Sequence, residues 1–350
     1  MTARQAFAGS LAALLTLLGA YLVYRLLSII VFLLIAFIFA AAISPMVRRL
    51  NRRLPLAAAI GVVYLGLLAV FAVLMTVIIT PVARQTTELV RNAPDLLDRV
   101  QVQITNLQRQ FNLPTVTPDL QQYVSQIAQQ APALAAGVLN VTLGVVTSVG
   151  GVLVVLVMAF YWLLERRDIE GMWISLVPRY RRAETREVIE EIEAKLGAYV
   201  RGQLILAVIV GLISFFGLLL LGMDYVLVLA LIAGIGELIP LAGPIIGAVP
   251  AVGIAFATQS PQKALLVLAL YIGIQQAENN LLVPKVMQRS VGLSPLTVLL
   301  AVLAGVALLG IIGALLAVPV ASAIQVILQH TLFRRQQYLA NEAPATRAPG

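Results

Sequence analysis

Long uninterrupted apolar runs constrain this chain more than any other feature, and they include residues 26–43, 56–80 and 138–164. A helix needs about 20 apolar residues to cross a hydrocarbon core roughly 30 Å thick. Only 11% of the 350 residues are charged, and the mean hydropathy is +0.95. A water-soluble domain has about 25% charged residues. The sequence therefore predicts an all-α polytopic membrane protein.

The basic residues indicate how the chain is oriented. The formal net charge is +8, and 18 of the 24 Lys and Arg residues fall in one alternate set of predicted loops. This is the distribution that orients membrane proteins, with the basic loops in the cytoplasm. It favours a multi-pass membrane protein with cytoplasmic N- and C-termini, and it argues against a nucleic-acid partner.

The residues that would support enzymatic or metal chemistry are scarce. Cysteine is absent and His330 is the only histidine, so we expect no disulfide, no metal site and no cofactor. The chain also has no His-Glu-x-x-His motif, no Gly-x-Ser-x-Gly elbow and no phosphate-binding Gly-x-x-x-x-Gly-Lys loop. We therefore do not expect an enzyme.

The N-terminal half is predicted to contain four full spans. The first, residues 11–24, is followed by a turn near Arg25 and by a second span, 26–43. Polar, proline-containing and charged stretches separate the remaining segments. The predicted organisation is N-terminal spans one to three in 1–80, an external helical hairpin in 81–137, a fourth span in 138–164, and a cytoplasmic amphipathic connector in 165–201 that lies along the membrane surface.

Residues 202–330 are predicted to form a transport core, followed by a cytoplasmic tail in 331–350. Two apolar stretches in the core, 225–258 and 296–328, would each be roughly 50 Å long as straight helices, which is too long for one crossing. Proline and glycine interrupt both, so we expect two re-entrant helical hairpins that enter from opposite sides, in addition to six full spans. The predicted hairpin breaks are Pro240, Gly243, Pro244, Gly247, Gly310, Gly313 and Pro319.

A weak internal repeat supports this arrangement. The tetrapeptide Ile-Ile-Gly-Ala occurs at 245–248 and at 311–314. The same offset carries the predicted fifth span onto the sixth, so a span plus a hairpin is predicted to be duplicated as an inverted repeat. Interrupted helices in inverted repeats build the substrate and ion sites of many transporters.

Two carboxylic acids inside the apolar core, Glu237 and Glu278, are the main candidates for a transport or coupling site. A charged carboxylate near the bilayer centre costs at least about 2.5 kcal/mol, so each must be protonated, paired or open to water. Reversible binding of a proton or cation is one role; a neutral acid that bonds freed backbone amides is the alternative. The amides near these acids would bind a polyhydroxylated solute or hold helices together, and they are Gln203, Gln275, Gln276, Asn279 and Asn280.

The chain resembles a known permease family along most of its length. The resemblance lies in Tyr199-Val200-Arg201-Gly202-Gln203, Ile239-Pro240 with Gly243-Pro244, Gln276, Glu278 and Asn279 with Pro284, Leu293 and Pro295, and Gly310, Gly313 and Ala317-Val318-Pro319. These residues are similar to those of the autoinducer-2 exporter family, the PerM-like permeases.

The resemblance implies a bacterial inner-membrane permease that exports a small polar solute, such as an autoinducer-2-like signal, coupled to protons or sodium. It also implies a homo-oligomer such as a pentamer, with the small molecule or ion and the lipid bilayer as the other partners. Two alternatives stay open, which are a sodium(lithium)/proton antiporter and a passive channel within an oligomer. A structural scaffold would not require paired helix breaks with buried acids.

Overall fold

The computed structural model describes residues 3–111, 149–287 and 292–342. Within these ranges the chain is helical and has no strand. The elements are α1 (Ala3–Leu50), α2 (Leu56–Phe111), α3 (Val149–Leu164), α4 (Arg166–Ser175), a 3₁₀ turn (Arg179–Arg181), α5 (Arg182–Leu220), α6 (Val226–Gly236), α7 (Gly243–Thr258), α8 (Pro261–Ala277), a π-helical segment (Glu278–Leu282), α9 (Val283–Val286) and α10 (Pro295–Glu342).

Four helical stretches are long and apolar enough to cross a membrane, which are Arg25–Leu50, Leu56–Leu89, Arg179–Leu220 and Pro295–Thr331. Their outward faces carry many exposed leucine, valine and isoleucine side chains, as expected where lipid replaces water as the solvent. The predicted all-α membrane class is confirmed at this level. The predicted count of six full spans is not confirmed.

Helix α1 runs without interruption through Arg25, so the turn predicted there is wrong. The Arg25 guanidinium donates a 3.0 Å hydrogen bond to the hydroxyl of Tyr21 and lies 5.5 Å from the centre of its ring. The charge is therefore accommodated along the helix surface and does not require a loop. Residues 11–43 form one helix where two spans were expected, and this removes the argument for a cytoplasmic N-terminus.

Helix α2 is also longer than the predicted third span, because it continues through Pro81 and Pro94 to Phe111. The first predicted external helix is thus an extension of the span, which we call the α2 arm (residues 81–111). The arm contacts the core through Gln85, whose side-chain oxygen accepts hydrogen bonds of 3.1 and 3.2 Å from the amides of Leu227 and Val228 at the start of α6. The predicted second external helix lies outside the described residues.

The part of the predicted connector from Arg182 onward and the predicted fifth span form the single helix α5. Its charged first half is therefore not the separate surface helix that we predicted. Arg201 of α5 donates hydrogen bonds of 3.3 and 2.9 Å to the carbonyls of Ala41 and Ala42 in α1. Because Pro45 has no amide, the carbonyl of Ala41 lacks its helical partner, and Arg201 replaces it.

Helices α6 and α7 fold back on each other as an antiparallel hairpin. A Cβ added to Gly247 of α7 would lie 2.8 Å from the Cβ of Ala233 in α6, so the two backbones are in close contact. Residues 237–242 form the turn, in which Leu241 has a φ of 69°. The hairpin packs between α5 and α8 through a buried apolar core that includes Val210, Leu229 and Val267.

Helix α10 reverses direction at Gly310, where φ is 61° and ψ is −138°. Gly305 and Gly313 are so close that a Cβ on either one would overlap the backbone carbonyl of the other. In a continuous helix these residues would be about 12 Å apart. The membrane-length stretch Pro295–Thr331 is therefore a second helical hairpin and not one straight helix. Membrane re-entry and inversion of the two hairpins remain predictions.

The second arm of α10 is joined to the charged half of α5 by a hydrogen bond between His330 and Glu191. Glu191 lies 2.8 Å from the Nζ of Lys195 and 2.9 Å from the Nε2 of His330. Hydrogen bonds from Lys195 and then from His330 lower the pKa of Glu191 below its ordinary value of 4.5. When folding lowers the pKa of a carboxyl group, the group stabilises the folded state fully at a pH above its pKa in the unfolded chain. This contribution is lost as the pH falls through its pKa in the folded protein.

We expect Glu191→Gln to lower the thermal unfolding midpoint at pH 7. The difference from the wild type should disappear as the pH falls through the lowered pKa of Glu191 in the folded protein. The effect should be modest because 34% of the Glu191 side chain is exposed and solvent screens the pair. Glu187→Gln, an exposed change on the same helix, is the control for loss of charge. A difference between Glu191→Gln and wild type that stays constant with pH would contradict this account.

Candidate functional site

The structure brings Glu237 and Glu278 together, although they lie far apart in the chain. Glu237 follows the end of α6, and Glu278 is the first residue of the π-helical segment. Both side chains are buried, with only 3% and 7% of their surface exposed. Their carboxyl groups are close enough to interact electrostatically. We call these two residues the carboxyl pair.

Local sequence explains how each acid reaches this position. The turn at 237–242 holds Pro240, which cannot donate a helical hydrogen bond, so α6 ends and Glu237 stands at the tip of the first hairpin. Glu278 lies six residues before Pro284, and the helix between them widens to the π form. π-helical segments are rare and occur frequently at functional sites.

Two further residues position Glu237. The side-chain amide of Gln203 donates a hydrogen bond to the backbone carbonyl of Glu237, which ties the hairpin tip to α5. A Cβ added to Gly243 would lie 2.8 Å from Oε2 of Glu237, so the glycine allows the start of α7 to approach the carboxyl. The partial positive charge of a helix N-terminus stabilises an anion there.

Three buried oxygens at this site have no hydrogen-bond partner within the described part of the protein, which are Oε2 of Glu237, Oε2 of Glu278 and the hydroxyl of Tyr199. Tyr199 was only among the residues of the family resemblance and was not a predicted site residue. A signal was available, because residues four apart share one face of a helix and Tyr199 precedes Gln203 by four. Buried polar atoms without partners are uncommon and require an explanation.

The other predicted amides do not converge on the carboxyl pair. Gln275 donates a 3.2 Å hydrogen bond to Asn279, and Asn280 donates to the carbonyl and side-chain oxygens of Gln276 at 2.9 and 3.2 Å. These contacts lie on the exposed side of α8 and the π-helical segment. Each amide therefore has a partner on its own helix.

The second hairpin does not contribute its break to the carboxyl pair. Leu316 packs in a cluster with Ala41 of α1 and Leu196 of α5, and α10 packs mainly against α5. Gly310, Gly313 and the buried Pro319 shape this hairpin. The acids are therefore surrounded by the tip of the first hairpin, α5 and the π-helical segment.

The carboxyl pair lies near one end of the apolar part of α5, level with Gln203, and not at its middle. On one side of the pair, α5 continues into its charged half. On the other side the hairpin is sealed by buried apolar residues such as Leu218, Leu229 and Val267. Along α5, the polar surface nearest to the pair is therefore its charged half.

Chemically, this arrangement can hold one proton between two carboxyl groups. It also presents carboxylate and phenolic oxygens, which are the type of ligand that hard cations prefer. Within the described ranges, no set of three or more His, Cys, Asp or Glu side chains is placed to hold a metal ion.

Comparison with known proteins gives a consistent family. A model of the AI-2E family transporters matches residues 11–333. YueF of Bacillus subtilis, provisionally named a transport protein, is 31% identical over 299 residues, covering 82% of this chain and 80% of YueF. PerM of Escherichia coli K12, provisionally named a permease, is 26% identical and covers 76% of each chain. The AI-2 transport protein TqsA of Escherichia coli K12 is 26% identical, covering 87% of this chain and 86% of TqsA.

Proposed function

We propose that this chain, which belongs to the AI-2E transporter family, is a permease for a small polar solute. In this proposal the solute is exported through a proton-dependent step at the carboxyl pair. The observation that carries the proposal is the electrostatic coupling of two buried acids that have no lysine or arginine partner among the described residues. Two carboxylates that are close together and shielded from water cannot both remain ionised, so they retain a proton between them.

The proposed mechanism uses the first hairpin as the moving element. With a shared proton, Glu237 and Glu278 attract each other and the hairpin tip stays seated against the π-helical segment. Loss of that proton produces two like charges, which repel and favour separation of the tip from Glu278. Gln203 holds the backbone of the tip during exchange, and the charged end of α5 provides the approach for water and solute.

The membrane arrangement is part of the proposal. Both hairpins dip into the bilayer from opposite sides as an inverted repeat, since helix breaks within a membrane are tolerated only against protein or a water-filled cavity. The exposed amides of Gln276, Asn279 and Asn280 require such cover as well. A homo-oligomer such as a pentamer, in the bacterial inner membrane with its C-terminus in the cytoplasm, would supply it.

A second candidate is sodium(lithium)/proton antiport, and the three unpartnered oxygens favour it. A small cation can replace the shared proton between the carboxylates and accept the Tyr199 oxygen as a further ligand. The charge of the pair would then be neutralised alternately by a proton and by a metal ion. In this candidate function the transported substrate is the metal ion. The exposed amides of Gln276, Asn279 and Asn280 then contact a neighbouring subunit and not a solute.

Proteoliposomes containing the full-length protein would test both candidates. One set receives a labelled autoinducer-2-like sugar under a proton gradient, and a second set receives sodium or lithium with a pH-sensitive dye inside. We expect proton-dependent sugar flux that is lost in the Glu237→Gln/Glu278→Gln double variant. Cation-driven proton movement without sugar flux would select the antiporter.

The matched control is Glu187→Gln/Glu190→Gln, which makes the same two substitutions at exposed positions on α5. It should leave the flux unchanged. Sugar or cation flux that is identical in the carboxyl-pair variant and the wild type would contradict both candidates. Single-channel currents far above carrier turnover would identify a passive channel.

A further inference from the structure

Helix α4 and the turn that follows it carry a group of large apolar side chains exposed to the surroundings. Met172 is 58% exposed, Trp173 55%, Leu176 74% and Tyr180 72%. We call these four residues the α4 patch. Four such side chains within nine residues are unusual for a segment in water, because contiguous exposed apolar surface marks an interaction site.

The patch is presented by a well-anchored element. On the opposite side of α4, Ile174 is buried and Glu170 forms a 3.2 Å ion pair with Arg186 of α5. Arg182 donates hydrogen bonds of 3.3 and 3.2 Å to the carbonyls of Ser175 and Val177. The inner face of the segment is thus satisfied by α5, and the outward direction of the patch is a property of the fold.

The position of the patch places it beside the end of a membrane helix. Only Glu165 separates α4 from the end of α3 at Leu164. Leu163 packs in one cluster with Val47 of α1 and Ala59 of α2, so α3 ends at the same level as the turn that joins α1 to α2. Four exposed arginines lie at the end of α1 and in that turn, which are Arg48, Arg49, Arg52 and Arg53.

Arginines also border the patch itself. Arg167, Arg179 and Arg181 are exposed, and the guanidinium of Arg181 lies 5.4 Å from the centre of the Tyr180 ring. Exposed acids are fewer on this segment, namely Glu165 and Asp168. Seven exposed arginines therefore share the end of the protein at which the apolar patch points outward.

We infer that the α4 patch and Arg167, Arg179 and Arg181 form a binding site for anionic phospholipids of the adjoining leaflet. Tryptophan and tyrosine favour the headgroup level of a bilayer, where a ring is partly apolar and partly hydrated. Arginine binds phosphate through two parallel hydrogen bonds. Apolar residues inserted beside basic residues are the pattern of an interfacial anchor attracted by anionic lipid.

The inference is independent of the transported solute and can be tested by fluorescence. The chain has two tryptophans, Trp162 and Trp173, so Trp162→Phe leaves Trp173 as the only emitter. The full-length variant is reconstituted in vesicles of phosphatidylcholine and phosphatidylglycerol in equal amounts, with bromine on the acyl chains of one lipid at a time. We expect Trp173 to be quenched by both, and about twofold or more strongly when the bromine is on phosphatidylglycerol.

Two triple variants in the same background separate headgroup binding from general charge. Arg167→Gln/Arg179→Gln/Arg181→Gln should keep the quenching and lose the preference for phosphatidylglycerol. The control neutralises three exposed arginines of the α2 arm and should retain the preference, with the changes Arg84→Gln, Arg91→Gln and Arg99→Gln.

Three results would overturn the inference. Absence of quenching by either lipid would place Trp173 in water or beneath another protein surface. Equal quenching by the two lipids would remove the headgroup specificity. If the preference for phosphatidylglycerol survived in the Arg167→Gln/Arg179→Gln/Arg181→Gln variant, groups other than these arginines would be responsible for it.

Discussion

Replacing Gly313 with valine should prevent the second hairpin from closing and should destabilise the protein by more than about 3 kcal/mol. A Cβ at this position would overlap the backbone carbonyl of Gly305 and would lie 2.9 Å from the Cβ of Leu309. A clash with a side chain can be relieved by rotation, whereas a clash with backbone requires the two helical arms to move apart. The separated arms would lose their mutual packing as well.

The measurement is thermal unfolding of the purified protein in detergent, followed by helical circular dichroism. Gly273→Val is the matched control, because nothing lies within 4 Å of a Cβ added to Gly273 on α8. The control should unfold near the wild-type temperature, since valine has a better helix propensity than glycine. Equal unfolding temperatures for Gly313→Val and wild type would show that the close approach of the two arms is not required.

Glutamine at either Glu237 or Glu278 should lower transport about tenfold or more, and the double variant should be no worse than either single variant. This prediction rests on the proposed function. If the two acids act as one proton-binding unit, removal of either member abolishes the unit, so the two losses cannot add. Initial rates of solute flux or of cation-driven proton movement, measured across a range of pH, provide the test.

Stability measurements distinguish this role from a structural one. Glutamine preserves the size of the side chain and can hydrogen-bond to the remaining carboxyl, so folding should be maintained. Alanine at Glu278 leaves the Glu237 carboxyl buried without a facing group, which costs about 1 to 3 kcal/mol. Leu281→Ala, an exposed change on the same π-helical segment, should have little effect on flux. Additive losses in the double glutamine variant would contradict the shared-proton account.

The sequence predicted the features that arise from composition and from backbone chemistry. Long apolar runs predicted membrane helices, and four helical stretches of suitable length and hydropathy are present. Glycine and proline predicted two interruptions, and the chain reverses at both 237–242 and Gly310. The rarity of charge within apolar segments also made Glu237 and Glu278 conspicuous in the sequence itself.

Helix boundaries were less predictable because helix formation is cooperative and tolerates isolated exceptions. Arg25 does not end α1, since its charge is satisfied by Tyr21 on the helix surface. Pro81 does not end α2, and the polar arm continues the apolar span. A change in composition along a chain therefore marks a change of surroundings and need not mark a turn.

The amino-acid sequence alone determined three features: that this chain partitions into a membrane, at which positions its helices are interrupted, and which acids are costly to bury. Each of these features depends on local backbone chemistry or on the free energy of transfer from water. Only the tertiary structure decided that Glu278 lies near Glu237 and that Tyr199 and Gln203 lie at the same site. It also decided that Gly310 lies elsewhere. Those outcomes depend on how α5, the first hairpin and the π-helical segment pack. Contacts between residues distant in the chain are set by the close approach of whole helices, and no local pattern encodes that approach.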